Sequence, residues 1–411
     1  MERVSILKNS IQEYAWGSLT AIPDFLGKAA PSGKPQAELW MGAHPKAPSK
    51  ISSNGRWVPL HELIERNPVE ILGKTVADNF GRKLPYLFKL LAVASPLSIQ
   101  AHPDRIRAEE GFHRENDLGI PAHALHRNYK DDNHKPECLC ALTPFWVLAG
   151  FRKIKELISL MERICDKYLD KELMELAEAP NARSLKKFFS AMMNLDPERK
   201  IRLLQDAAAW AEADQTDHPA FQWVKTLYGM YPSDIGVLSP LFLNLICLQP
   251  GEALFVGAGE LHAYLSGVGL ELMANSDNVV RGGLTVKHVD VPELLKVVSF
   301  AEKPVKVLKA EKTAGAESAY PVQAREFALS MISVGTGTGY VSPVRRSVEI
   351  IICTEGQAVL SGGGHRDKLP MCRGVSVFIP AAVSQYELTG NAIFYKASVP
   401  AEPKGRALRE P

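Results

Sequence analysis

The sequence predicts a mainly β protein with an α-helical insertion, organised as two β-barrels and a helical domain. Three patterns lead to this class: short apolar runs broken by Pro, Asn and Asp, a block with helical periodicity, and a β pattern that returns after that block. The expected first domain is discontinuous and comprises residues 1–150 and 241–320. A helical domain at 151–240 and a C-terminal domain at 321–411 complete the chain.

Each element follows from the local pattern of apolar residues. Residues 84–150 alternate short apolar runs with turn-forming residues, which predicts strands and loops and no helix. Apolar residues then recur at helical spacing from Ile154 to Ile164, and similar spacing continues to about 240. The stretch "LFLNLICLQPGEALFVGAGELHAYL" returns to a strand pattern, and a last β region follows a linker-like segment.

Composition and charge restrict the possible functions. The chain has 411 residues, 46% of them hydrophobic, and a formal net charge of +2, so it can bury real cores but lacks a basic surface for nucleic acid or membranes. No signal peptide and no apolar stretch long enough to span a membrane is recognisable, so we expect a cytoplasmic protein with a small-molecule ligand. The six cysteines are expected to be reduced. The sequence leaves the oligomeric state open, and we expect a monomer.

The stretch "LSIQAHPD" places two polar side chains in an apolar run. Successive side chains of a strand point to opposite faces, so Gln100 and His102 face the same way while Ile99 and Ala101 face the other. A polar or metal site is therefore expected on the face that Gln100 and His102 share.

An internal similarity connects the end of the first domain with the C-terminal domain. Four positions recur at the same spacing, offset by 123 residues throughout: Gly251, Gly257, Gly259 and His262 match Gly374, Pro380, Ala382 and Gln385. The spacing predicts a strand, a tight turn and a second strand in both places, with the polar group pointing inward. It suggests two related barrels, of which the second has lost its histidine.

The first copy of this pattern resembles the second conserved motif of the cupin superfamily, with Gly257 in place of the usual proline. Gln100 stands for the first histidine of the first cupin motif, and His102 matches the second. The glutamate of that motif is displaced. The resemblance implies jelly-roll barrels, one of which holds a metal ion.

Five separated motifs resemble the type I phosphomannose isomerases: "YAWGS", "AELWMGAHP", "LSIQAHPD", "YKDDNHKPECLCALTPFWVLAGFR" and "YLSGVGLELMANSDNVVRGGLT". The resemblance covers nearly the whole chain and implies a single Zn²⁺ ion held by Gln100, His102, Glu137 and His262. It also implies reversible interconversion of D-mannose 6-phosphate and D-fructose 6-phosphate through a cis-enediol, a reaction that feeds mannose and GDP-mannose metabolism.

The chemistry of these ligands agrees with zinc. Imidazole, carboxylate and amide oxygen suit a borderline metal, and one carboxylate leaves the site near +1, which favours an oxyanion on the substrate. Strand alternation turns Cys138 and Cys140 away from Glu137, so the cysteines are not expected to be ligands. His123 and His126 lie in a loop-like stretch and are expected to face solvent or gate the site.

Other site residues follow from the resemblance. Arg281 matches the arginine regarded as catalytic, and the two glycines after it let the backbone approach a ligand. Ser98, Lys89 and Lys287 fall at phosphate positions, and Lys89 is an unusual charge in an apolar run. The acid and base roles stay open among four residues: Lys135, His134, Glu271 and Asp277.

Two other functions are alternatives to the isomerase. An iron-dependent cupin oxygenase would need open positions for O₂, and the weak neutral ligand Gln100 argues against it. In a metal-free sugar-binding or storage cupin, Gln100, His102, Glu137 and His262 would share no common function. Metal content distinguishes the three, because it would be zinc for the isomerase, iron for the oxygenase and none for the storage protein.

Overall fold

A computed structural model describes residues 3–53, 55–214, 217–362 and 368–400, except the side chains of residues 165 and 166. The described residues form strands of two sheets and a helical region, so the mainly β class with a helical insertion is confirmed. Residues 401–411 of the predicted C-terminal domain lie outside the described residues.

The chain divides into two compact units. The first unit comprises Met1–Leu91, Leu270–Asn275 and Leu308–Pro411, and the second unit comprises Ala92–Gly269 and Ser276–Val307. The sequence-based division into three domains stays a prediction.

The strands, in chain order, are β1 (Ser5–Lys8), β2 (Ser10–Gln12), β3 (Glu38–Gly42), β4 (Lys50–Ser53), β5 (Arg56–Pro59), β6 (Tyr86–Val93), β7 (Ile99–Ala101), β8 (Glu137–Ala141), β9 (Phe145–Phe151), β10 (Leu243–Leu248), β11 (Glu252–Val256), β12 (His262–Ala274), β13 (Val280–Gly283), β14 (Leu308–Lys309), β15 (Glu311–Ala314), β16 (Glu317–Ala319), β17 (Ala328–Val334), β18 (Tyr340–Val341), β19 (Glu349–Gly362), β20 (Leu369–Cys372), β21 (Ser376–Ile379) and β22 (Tyr386–Ser398).

The helices are α1 (Ala21–Phe25), α2 (Leu60–Arg66), α3 (Pro68–Leu72), α4 (Lys74–Asn79), α5 (Arg105–Asp117), α6 (Ile154–Glu178), α7 (Ala182–Met193), α8 (Pro197–Ala213), α9 (Pro219–Met230), α10 (Ser239–Phe242) and α11 (Val291–Val297), with a short 3-10 helix at Ile235–Leu238.

In the first unit, antiparallel pairing joins strands from both ends of the chain. The order β16, β17, β22, β19 and β21 continues through β1 to β4 and β5. Ser5 of β1 lies opposite Phe378 of β21. The first strand, which the sequence analysis assigned to the first domain, therefore pairs with the C-terminal sheet, because strand partners are chosen by long-range packing that a local pattern does not encode.

In the second unit, β7 lies between two strands and pairs with both β12 and β13. The strand β9 pairs with β10 and β12, and β8 pairs with β11. These pairings bring the start of β8 and the start of β12 into the same unit as β7, which positions the site described below.

The helical block is confirmed by α6 to α9. Their apolar faces bury Leu157, Met161, Phe188 and Phe221 in one core. The helix α7 begins at a side-chain cap, where Asn181 accepts hydrogen bonds from two backbone N–H groups of the first turn. The periodicity of the sequence was informative here because each helix has one buried face.

The expectation that residues 84–150 hold no helix is wrong, because α5 lies within them. Asp104 caps this helix by accepting a hydrogen bond from the backbone N–H of Arg107 at 2.8 Å. The helix sequence "RIRAEEGFHREND" is mostly charged, and its buried positions are Ala108, Gly111 and Glu115. It therefore lacks the apolar stripe from which a helix is predicted.

The strand–turn–strand prediction for the internal repeat is confirmed. Gly251 and Gly374 have φ values of 84° and 87°, and each is followed by a short strand and then a strand of 13 residues. The inward polar group is confirmed for the first copy alone. His262 is fully buried, whereas Gln385 is exposed and its amide donates to the carbonyl oxygen of Ser342.

None of the helices in the described part of the chain is both long and apolar enough to cross a membrane. The five described cysteines are all free thiols, and three of them are buried. The expectation of reduced, mostly buried cysteines is confirmed for these five.

Candidate metal centre and active site

Three buried side chains converge in the second unit. His102, Glu137 and His262 are each at most 1% exposed, and one donor atom from each lies within 4.8 Å of the others. The Nε2 atom of His102 is 3.1 Å from Oε1 of Glu137, and Nε2 of His262 is 3.3 Å from Oε2 of the same carboxylate. Three of the four predicted ligands therefore form one cluster.

Strand pairing places Gln100 beside a member of this cluster. Gln100 on β7 lies directly opposite His262 on β12 and directly opposite Arg281 on β13. Residues opposite each other in antiparallel strands point to the same face, so these three side chains form a row across the sheet. His102 follows one residue after the end of β7, and Glu137 opens β8.

Each imidazole is oriented by its other nitrogen. Nδ1 of His102 lies 2.8 Å from the carbonyl oxygen of Asn278, and Nδ1 of His262 lies 3.0 Å from that of Glu260. A carbonyl accepts a hydrogen bond, so Nδ1 carries the proton and Nε2 has a free lone pair. Both buried Nε2 atoms lack a hydrogen-bond partner among the described residues, although Glu137 is close. Lone pairs oriented in this way, with a carboxylate between them, fit a metal ion.

The ionisation of His102 and Glu137 also suits a metal. Burial, helped by Lys135, lowers the pKa of His102 to about 4. Burial opposes ionisation of Glu137, but Lys135 and His102 outweigh it and hold the pKa of that carboxyl well below its usual range. Burial likewise opposes protonation of His262, yet the nearby Glu137 carboxylate outweighs it and raises the pKa of His262. A neutral His102 and an ionised Glu137 are the states in which these side chains bind metals.

The loop before β8 brings Lys135 to the cluster and also contains His134. Lys135 is nearly buried, and its Nζ lies 3.1 Å from Oε1 of Glu137. His134 is half-buried in the same loop. The hydroxyl of Tyr264 donates to Oε2 of Glu137 at 3.1 Å, which fixes the carboxylate from the opposite side.

Arg281 and Lys287 form a positive region. Burial lowers the pKa of Arg281, and burial together with the charge of Arg281 lowers the pKa of Lys287. Asp234 holds the segment between them, since its carboxylate accepts from the backbone N–H groups of Gly236 and Thr285 at 2.7 and 3.0 Å. Gly283 approaches this carboxylate so closely that a Cβ would lie 2.9 Å from its Oδ1.

Two predicted site residues pair with each other in the first unit. Nζ of Lys89 lies 2.8 Å from Oε2 of Glu271 and 3.5 Å from Oε2 of Glu38, and all three side chains are buried. The ammonium also lies 5.6 Å from the ring centre of Trp40. The charge of Lys89 in an apolar run is thus explained by buried carboxylates, and its phosphate role stays a prediction.

The remaining predicted residues lie in loops. Ser98 is half-buried one residue before β7, and Asp277 is half-buried between β12 and β13. His123 and His126 are exposed in a loop, as expected.

Sequence reasoning missed several residues around the cluster. Asn278 and Ser276 are buried, and both hydrogen-bond to the loop that contains Asp131. Tyr264, which donates to Glu137, and Asp234, which holds the segment before Lys287, were also missed. The polar run "NSDN" inside an otherwise apolar region was the available signal, because buried polar groups need partners.

Comparison with known proteins gives consistent results. Residues 4–154 match the family model described as phosphomannose isomerase type I, catalytic domain. The mannose-6-phosphate isomerase of Salmonella typhimurium is 43% identical over 93% of this chain and 96% of its own length, and that of Homo sapiens is 36% identical over 92% and 94%. A crystal structure of the Salmonella typhimurium enzyme bound to its substrate, fructose 6-phosphate, and to zinc matches with a TM-score of 0.90 and 41% identity, covering 97% of this chain and 99% of that chain.

Proposed function

The chain belongs to the type I phosphomannose isomerases, and from this membership we propose a zinc-dependent active site built on Gln100, His102, Glu137 and His262. The activity is the reversible isomerisation of D-mannose 6-phosphate to D-fructose 6-phosphate. The observation that carries the proposal is the buried cluster of His102, Glu137 and His262, with both Nε2 lone pairs facing one carboxylate.

Gln100 is the proposed fourth ligand. Its position opposite His262 on the neighbouring strand supports this role, since an amide oxygen there can reach the same ion. When bound, the zinc ion supplies a Lewis acid for the oxygens of the open-chain sugar. The weak neutral ligand Gln100 argues against an iron oxygenase, which needs open positions for O₂. The hydrogen-bonded imidazoles argue against polar residues that meet only by chance.

The isomerisation itself moves a proton from C2 of the aldose to C1 of the ketose through a cis-enediol. Lys135 is supported as one acid or base by its place beside Glu137, and His134 by its place in the same loop. Asp277 and Glu271 stay predictions for this role. Arg281 is proposed to stabilise the negative charge of the enediolate, because its side chain faces the same way as Gln100.

Lys287 and Ser98 are the proposed phosphate ligands of the second unit. A phosphate role for Lys89 stays a prediction. The desolvation of Arg281 and Lys287 beside each other supports an anion site, because two neighbouring cations are stabilised when an anion binds. We also propose that the two sheets are cupin jelly-roll barrels and that the protein acts as a cytoplasmic monomer.

The test is metal analysis together with a coupled assay that follows fructose 6-phosphate formed from mannose 6-phosphate. The expected result is near one zinc per chain and isomerase activity that a chelator removes and zinc restores. His262→Ala should lose both metal and activity. His218→Ala is the matched control, because His218 caps α9 in the helical block and should keep both. Stoichiometric iron, or full activity without metal, would contradict the proposal.

A further inference from the structure

Asn278 is a fully buried residue whose side chain has no part in the functions described above. Its Oδ1 accepts from the backbone N–H groups of Lys130 and Asp131 at 2.6 and 3.1 Å. Its Nδ2 donates to the carbonyl oxygens of Asp131 and Asn133 at 2.7 and 2.9 Å. A primary amide has two donor hydrogens and two acceptor lone pairs, so one backbone segment uses the whole hydrogen-bonding capacity of this side chain.

The held segment, residues 130–133, leads directly into the site. His134 and Lys135 follow it, and Glu137 comes two residues later. The neighbours of Asn278 hold the same segment, because Ser276 Oγ donates to Oδ1 of Asp131 at 2.7 Å and the backbone N–H of Asp277 donates to Oδ2 at 2.7 Å.

The backbone of Asn278 contacts the cluster of His102, Glu137 and His262. Its carbonyl oxygen lies 2.8 Å from Nδ1 of His102, which sets the tautomer and the direction of that ring. One residue therefore touches a predicted ligand through its main chain and the loop of Lys135 through its side chain.

We infer that Asn278 is a positioning residue that holds His134 and Lys135 in register with the metal ligands. The inference rests on the proposed function, since it assigns these two side chains to the chemistry. The physical reason is that four hydrogen bonds to the backbone of Lys130, Asp131 and Asn133 fix a loop which has no strand or helix to hold it. A displacement of about 1 Å at reacting groups can lower a rate on the order of 100-fold.

The experiment compares Asn278→Ala with the wild-type enzyme. The backbone carbonyl survives the substitution, so His102 keeps its acceptor and the zinc content should stay near one per chain. We expect kcat to fall on the order of 10- to 100-fold while KM changes much less, because substrate binding by Lys287 is untouched. Hydrogen exchange of the peptide spanning 127–136 should become faster, since the N–H groups of Lys130 and Asp131 lose their acceptor.

The control is Asn181→Ala in the helical block, which also removes an amide that accepts from two backbone N–H groups. It should lose stability but keep kcat and the exchange of the 127–136 peptide. If Asn278→Ala does not fold, Ser276→Ala removes the hydroxyl that lies within hydrogen-bond distance of Oδ1 of Asp131 and of the carbonyl oxygen of Asn133. This variant keeps the four side-chain bonds of Asn278, so it should give a smaller fall in kcat, with faster exchange in the same peptide.

Three results overturn the inference: a kcat within twofold of wild type, loss of zinc in step with activity, or unchanged exchange in residues 127–136. A wild-type protein without isomerase activity would instead contradict the proposed function. The exchange measurement needs no substrate, so it separates the two failures.

Discussion

At the scale of single residues, the site depends on which donors are charged. Glu137 is the one carboxylate in the His102, Glu137 and His262 cluster, and Gln100, the proposed fourth ligand, would add an amide without charge. A zinc ion held by these four ligands would keep a net charge near +1, which would make it a stronger Lewis acid than a second carboxylate would allow.

Gln100→Glu tests this charge. The substitution keeps the length and the donor position but makes the site nearly neutral, so we expect zinc to be retained and kcat to fall on the order of 10- to 1,000-fold. Gln100→Ala should lose both zinc and activity. Zinc content and turnover are measured together, with the exposed Gln249→Glu as control. Normal zinc and full activity in Gln100→Ala would show that Gln100 is not a ligand.

Lys287→Ala tests phosphate binding. A phosphate contact is shared by substrate and transition state, so KM should rise by about 10- to 150-fold, equivalent to about 1.5 to 3 kcal/mol, with a smaller effect on kcat. The exposed Lys306→Ala removes the same charge elsewhere and should leave both constants unchanged. A normal KM with kcat abolished would show that Lys287 takes part in the chemical step and not in substrate binding.

At the scale of elements, a short connection after β13 carries the proposed phosphate ligand Lys287. The segment from Arg281 to Lys287 leaves β13 through Gly283, whose φ is 141°, a conformation that favours glycine. It is tied down by Asp234, which immediately precedes the 3-10 helix after the helical block. The turn that follows α9 therefore anchors the segment that carries Lys287.

Asp234→Ala should loosen this segment. Loss of the carboxylate leaves the N–H groups of Gly236 and Thr285 without their acceptor, so we expect a cost of about 1.5 to 3 kcal/mol in unfolding free energy. KM should also rise, because Lys287 follows Thr285 by two residues. Asp196→Ala, which removes the cap of α8, is the control and should lower stability without a change in KM. An equal KM effect in both variants would exclude a specific role for Asp234.

At the scale of the whole molecule, the first unit has a buried ionic cluster of its own. Nζ of Lys396 lies 2.7 Å from Glu317 and 3.7 Å from Glu349, and the hydroxyl of Tyr386 donates to Glu349 at 2.9 Å. Burial opposes ionisation of Glu317, but Lys396 outweighs it and lowers the pKa of Glu317. Burial likewise opposes the charge of Lys396, and Glu349 reverses this effect and raises the pKa of Lys396.

These shifts predict a pH dependence of stability. A lowered carboxyl pKa stabilises the folded state above the ordinary value near 4.5 and the stabilisation is lost as pH falls through the folded value. Glu317→Gln should therefore be less stable than wild type at pH 7 and should lose less stability on acidification. Unfolding of both is measured from pH 3 to 7. The exposed Glu387→Gln on β22 is the control, expected within about 0.5 kcal/mol of wild type.

The second copy of the internal repeat should bind no metal. Gln385 replaces the histidine of the first copy and is exposed, bonded to the carbonyl of Ser342. We expect Gln385→Ala to keep the wild-type zinc content and turnover. A second equivalent of bound metal in the wild-type protein, lost in this variant, would contradict the expectation.

The sequence by itself determined the β class, the helical block and the candidate ligands. Periodicity indicates which face of an element is buried. The motifs around His102, Glu137 and His262 contain side chains whose ability to bind a metal depends on their donor atoms and not on the fold. Metal-binding residue types could therefore be chosen before any distance was known.

Only the tertiary structure decided which groups meet. The pairing of Ser5 with Phe378, the burial of Lys89 between Glu271 and Glu38, and the four bonds of Asn278 all join residues distant in the chain. The physical reason is that local periodicity reports burial but not the identity of the partner. A buried charge or amide is stable only when long-range packing supplies that partner, and the local sequence pattern does not show which residue the partner is.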